Sequence, residues 1–191
     1  MGREVRDLHS EGAGPLVIFT PARLAGAFVL DLERREDDRG FFARTFCRGE
    51  FEAHGLRSEI AQANVSHNRS RGTLRGMHYQ VEPRAETKVV QCGTGSIYDV
   101  IVDLRPLSPT FRQWEGFELS STNRRMLYIP EGFAHGFQTL ADDCSVLYLM
   151  GEFYSPEHAR GARWNDPAFG IDWPLPEPLV SDRDDSFPLW S

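Results

Sequence analysis

The chain contains a single lysine. Lys88 stands alone among 21 basic residues, the others all being arginine. Cysteine is scarce as well. Cys47, Cys92 and Cys144 are odd in number, widely separated and free of any C-x-x-C pattern, which argues against a disulfide framework, a zinc site or a redox pair and reads as reduced, packed thiols. No apolar run approaches the ~20 residues that cross a bilayer, and the polar stretch Met1–Gly14 has no signal-peptide core. The expected compartment is the cytoplasm. Positive charge is also in deficit: 28 acidic against 21 basic residues give a formal net charge of −7, which excludes a generic nucleic-acid or anionic-membrane surface. A local arginine cluster can still receive a small anion. Repeats, linkers and low-complexity segments are lacking too, so residues 1–191 read as one domain, with a core of about 26–155 and a wrapped tail over 156–191.

Long helical periodicity is scarce, and short β-type segments take its place. Strands are expected over Val17–Phe19, Ala27–Leu32, Lys88–Cys92, Ser96–Leu104, Arg125–Ile129 and Ser145–Met150, separated by turn chemistry such as Asp37-Asp38-Arg39-Gly40 and Gly93-Thr94-Gly95. In Ser96–Asp103, Ile97, Asp99, Ile101 and Asp103 share one face, and Tyr98, Val100 and Val102 share the other. Apolar residues on both faces place that strand inside a sandwich or barrel, with Asp99 pointing into an enclosed space. Short helices are expected at Pro21–Leu24, Gly49–His54 and Pro156–Ala159. The tail, with Trp164-Asn165-Asp166-Pro167 and Ile171-Asp172-Trp173-Pro174, is too rich in large side chains to be disordered. These elements predict an all-β, antiparallel domain of jelly-roll type with short peripheral helices.

Two stretches carry chemistry. Gly72-Thr73-Leu74-Arg75-Gly76-Met77-His78-Tyr79-Gln80 and Ile129-Pro130-Glu131-Gly132-Phe133-Ala134-His135-Gly136-Phe137 each set one histidine after a Gly-containing turn. An imidazole exchanges protons near neutral pH. Two histidines, one lysine and nearby tyrosines are the parts for moving protons beside a carbonyl. Pro130–His135 has the P-x-G-x-x-H form of cupins. Metal-binding cupins pair it with two histidines one residue apart, where this chain reads His78-Tyr79-Gln80. With no second ligand there and no third carboxylate in evidence, no metal is expected.

The stretch around His78 closely resembles the hallmark of the dTDP-4-dehydrorhamnose 3,5-epimerase family. So do Arg39-Gly40-Phe41-Phe42, Ser108-Pro109-Thr110, Ile129–Phe137 and Tyr154-Ser155-Pro156-Glu157, in matching order from about Gly26 to Pro188. The resemblance implies a homodimeric, cupin-like jelly roll, a double-stranded β-helix, that exchanges strands between subunits, and the segment Val17–Leu32 is apolar enough to pair. It also implies a nucleotide-linked 4-keto-6-deoxy sugar as substrate, and neither metal nor redox cofactor. The 4-keto group acidifies the protons on C3 and C5, and removing one and returning another to the opposite face inverts the carbon.

By the same resemblance His78 is the base and Lys88 the cation at the developing oxyanion. Tyr148 is the acid on the other face, and Asp184, from the tail motif Ser181-Asp182-Arg183-Asp184, holds the imidazole, with Asp99 as reserve. Arg39 and Arg75 suit the diphosphate, Phe42 the base, and Gln62 and Asn64 the sugar or nucleotide. His135, Tyr154 and Arg183 complete the expected binding set. Three departures bear on the nucleotide sugar: Arg44 stands where a glutamate is usual, the stretch between Gln62 and Gly72 is one residue longer than in rhamnose-pathway members and resembles instead a branch with the Asn-x-Ser-x-Asn pattern of Asn64-Val65-Ser66-His67-Asn68, and Leu149 replaces a basic residue of some members. Competing readings are a single-site epimerase or ketoisomerase, a metal-dependent cupin enzyme, and a non-catalytic sugar-binding cupin.

Overall fold

The computed structural model describes residues 16–190, so the reading of Met1–Gly14 lies outside the described residues. Six strands form one sheet: β1 (Val17–Pro21), β2 (Phe28–Leu32), β5 (Gln62–Asn68), β7 (Lys88–Thr94), β10 (Met126–Ile129) and β12 (Cys144–Met150), ordered β1-β2-β10-β7-β12-β5. Five form the second: β6 (Leu74–Gln80), β8 (Ser96–Asp103), β9 (Trp114–Ser120), β11 (Phe133–Thr139) and β13 (Ala159–Gly161), ordered β13-β6-β11-β8-β9. β3 (Arg35–Asp37) and β4 (Gly40–Phe42) make a separate hairpin, and the helices are α1 (Arg48–Ala53) and α2 (Asp182–Asp185). The strand pairings are antiparallel, as an all-β jelly roll requires.

The main core lies between the two large sheets. Val90, Cys92, Leu127 and Val146 enter it from one side, and Ile97, Ile101, Leu119 and Phe137 from the other. Alternation then sends Val100 and Val102 to the outer face, where tail residues Ala162, Phe169, Trp173 and Trp190 cover them. β8 is therefore buried on both faces, and Asp99 points inward with no exposed surface. The outer face of the six-stranded sheet is covered by α1, whose fully buried Phe51 packs with Leu30, Met126 and Tyr128. Burying such a ring stabilises the layer by about 2 kcal/mol.

The structure departs from expectation at three short pieces. Pro21–Leu24 closes β1 and enters a turn instead of forming a helix, with Ala27 N–H donating to the Leu24 carbonyl and Gly26 at φ +89°. Gly26 in the left-handed region turns the chain back, and burial of Leu24 holds the turn. Pro156–Ala159 is likewise a turn, leading into β13 on the edge of β6. In the tail a short helix, α2, forms because Ser181 caps it, its hydroxyl accepting from Asp184 N–H at 3.2 Å. Val17–Leu32, expected to pair, forms β1 and β2, with β2 against β10 and β1 at the sheet edge.

Candidate active site

A cavity of about 470 Å³ opens between the two sheets. His78 on β6 and His135 on β11 are direct cross-strand partners, so both side chains stand on the same face and line it. Arg75 also lines it, three residues before His78, where regular alternation would turn it to the other face. The irregularity that resets the phase lies where β6 meets Gly136, between His135 and Phe137. Glycine is required there on both strands. A Cβ on Gly76 (φ +140°) would stand 2.5 Å from Gly136 Cα, and one on Gly136 would stand 2.8 Å from the Arg75 carbonyl.

Each histidine holds its own carboxylate. His78 Nε2–H donates to Asp184 Oδ1 at 2.9 Å, and the Gly76 N–H donates to Asp184 Oδ2 at 3.1 Å. Burial pushes the Asp184 carboxyl up, but the hydrogen bond and charge of His78, the Gly76 N–H and the Arg183 charge outweigh it, so Asp184 sits below the usual carboxylate range. With Nε2 committed, His78 Nδ1 carries the free lone pair. Phe187 rests edge-on against the imidazole at 5.8 Å. Asp99 serves the other ring: His135 Nε2–H donates to its Oδ2 at 2.8 Å. Asp184 is thus the carboxylate on His78, and Asp99 is not.

Lys88 is buried beneath His78, its Nζ donating to the His78 carbonyl at 3.1 Å and pairing with Glu86 at the same distance. Tyr148 projects from β12 in the opposite sheet, its ring edge-to-face with His135 at 6.1 Å. Burial and the Asp99 charge push its phenol up, and the Arg75 guanidinium pulls it part of the way back. Arg75 Nε donates to the buried Asn68 at 2.7 Å. Gln62, Asn64, Tyr154 and Arg183 also line the cavity, and Gln62 Oε1 accepts from Tyr154 N–H at 2.7 Å.

Two expected binding residues are not brought to this cavity within the chain. Arg39 and Phe42 sit on the exposed β3–β4 hairpin, Arg39 held by Asp37 at 2.5 Å. Both belong to a three-residue-strand hairpin outside the two large sheets, so the chain's own topology gives them no path to His78. Arg44 is likewise occupied, at 2.5 Å from the buried Glu50, which also accepts from Val17 N–H. Conversely, Glu86, Asn68 and Phe187 belong to the site's surroundings and were not expected. Among the described residues, no group of three or more His, Cys, Asp or Glu is placed to hold a metal ion.

Histidine on a carboxylate in one sheet, a phenol in the other and a buried ammonium against the histidine's backbone define an acid–base enzyme built on a jelly roll. The family model for dTDP-4-dehydrorhamnose 3,5-epimerase matches residues 21–191, and the chain belongs to that family. The dTDP-4-dehydrorhamnose 3,5-epimerase of Shigella flexneri is 48% identical over 149 residues, 78% of this chain and 82% of its own length. That of Pseudomonas aeruginosa is 48% identical over 167 residues, covering 85% and 91%. Among solved structures, the Bacillus anthracis dTDP-4-dehydrorhamnose 3,5-epimerase with TDP and PPi bound superposes at a TM-score of 0.89 with 43% identity, covering 92% of this chain and all of that one. A 3′-monoepimerase from Streptomyces bikiniensis in complex with dTDP-quinovose gives 0.82 and 34%, covering 88% and 86%.

Proposed function

We propose that this protein epimerises a dTDP-linked 4-keto-6-deoxy sugar through an enolate, with His78 as base and Tyr148 as acid. The observation that carries the reading is their placement in opposite sheets across one cavity, with the Lys88 ammonium buried beneath His78. His78 Nδ1 takes the proton from the carbon beside the carbonyl. Asp184 holds the ring in that tautomer and offsets the charge it gains. The electrons move onto the carbonyl oxygen, where Lys88 stabilises the enolate as a compact, desolvated charge. Tyr148 returns a proton from the other face, and the carbon is inverted. Arg75 and Arg183 suit the diphosphate, Gln62 and Asn64 the sugar or nucleotide, and Tyr154 the rim.

The reading needs no metal or redox cofactor, since no electron leaves the substrate. It includes a homodimer in the cytoplasm, in which the β3–β4 hairpin brings Arg39 and Phe42 to the partner's cavity. No helix among the described residues is long and apolar enough to cross a membrane. Light scattering at micromolar concentration checks the assembly: a dimer is expected, and a monomer contradicts it. Incubation with dTDP-4-keto-6-deoxyglucose in deuterated water tests the chemistry. Deuterium at C3, C5 or both, on inverted carbons, is expected, and its position separates a single-site from a double epimerase. A substrate recovered without deuterium overturns the reading.

A further inference from the structure

The two carboxylates of the site are finished differently. Asp184 has a donor on each oxygen. Asp99 has no exposed surface, gives Oδ2 to His135, and has no hydrogen-bond partner on Oδ1 among the described residues. A buried carboxylate with one oxygen unpartnered is costly unless a positive charge lies beside it, and the group it pairs with is the His135 imidazole. His135 in turn stands edge-to-face with Tyr148. The arrangement favours a proton stored on the pair, next to the phenol.

We propose that Asp99 and His135 form a second proton-carrying pair, which reloads Tyr148 after each inversion. The proposal rests on the reading of Tyr148 as the acid. When Tyr148 gives its proton to carbon, the phenolate lies close to the Asp99 charge, an unfavourable pair. His135 then passes its proton to the phenolate: the imidazolium N–H bond breaks, the phenol O–H bond forms, and neutral imidazole remains on Asp99. The pair regains its proton from solvent through the cavity, while His78 sheds to solvent the proton it took from carbon. One proton leaves and one enters per inversion. Asp99 acts through its neighbours and is a positioning residue.

A rapid-quench time course with dTDP-4-keto-6-deoxyglucose decides the matter. Asp99→Asn, nearly isosteric, is expected to invert about one carbon per active site at close to the wild-type rate and then to slow at least about tenfold, because loading survives and reloading fails. His135→Gln, which removes the proton carrier itself, is expected to lower the steady rate more than the first inversion, and it decides the question if the Asp99→Asn protein does not fold. First inversion and steady rate falling together would mean a structural role and overturn the proposal, as would a steady rate equal to wild type. Failure of the underlying reading is distinct: the wild-type protein would then neither exchange nor invert.

Discussion

Asp99 and Asp184 are the same chemical group put to different use by what surrounds them. The donors on Asp184 fix it as a holder of His78, whereas Asp99 keeps an open oxygen and pairs with His135. Both histidines and both aspartates were legible in the sequence, and the resemblance set Asp184 on His78, where the structure also has it; the pairing of Asp99 with His135 was not legible, because the two meet only when β8 and β11 lie side by side. Lys88 and Tyr148 were legible through the resemblance, which sets them ten residues past His78 and thirteen past His135. Glu86 and Asn68 were not, since a glutamate near a lysine and an asparagine on an edge strand have no meaning until β5, β6 and β7 lie together. The residue whose loss matters most is His78. His78→Asn keeps a donor for Asp184 and replaces a side chain that is 42% exposed, so the fold should persist. Turnover is expected to fall by about 10²–10⁴. A folded variant with near-wild-type rate would remove His78 from the role of base.

At the scale of elements, the site depends on two strands that pass closer than side chains allow. Gly76 and Gly136 let β6 and β11 meet at the irregularity that turns Arg75 and His78 to the same cavity. Gly136→Ala would drive a methyl group against the Arg75 carbonyl and the Met77 sulfur, 2.8 and 2.7 Å from the new Cβ. Overpacking of this kind costs about 1–3 kcal/mol. A lower urea midpoint is therefore expected, together with an activity loss larger than the stability loss explains, because the strand that aims His78 must move. An unchanged midpoint would show that the strands have slack at this point. Strands with strong β-branched patterns, such as β8, were readable at nearly full length. β5, β6 and β11 were not read as strands, because their polar residues face the cavity and break the alternation on which such reading depends. The Ser-x-x-Asp tail motif turns out to be a helix cap, which explains how a short polar segment holds Asp184 in place.

At the scale of the molecule, the two sheets set His78 and Tyr148 on opposite sides of the cavity. The five-stranded sheet carries His78 and His135, the six-stranded sheet carries Lys88 and Tyr148, and the apolar core between the sheets holds them apart. The tail closes the outer face of the five-stranded sheet and delivers Asp184 and Phe187 to His78. The sandwich itself was legible from the double-faced burial of β8. The hairpin position of Arg39 and Phe42 was not, because motif order along a chain carries no information about which cavity a loop reaches. In the proposed epimerisation one face of the carbon loses its proton to His78 and the other receives one from Tyr148. Tyr148→Phe removes only the phenolic oxygen, and in deuterated water with dTDP-4-keto-6-deoxyglucose it separates the two events. The variant is predicted to exchange substrate protons for deuterium while forming little inverted sugar. Normal inversion by the folded variant would contradict the account.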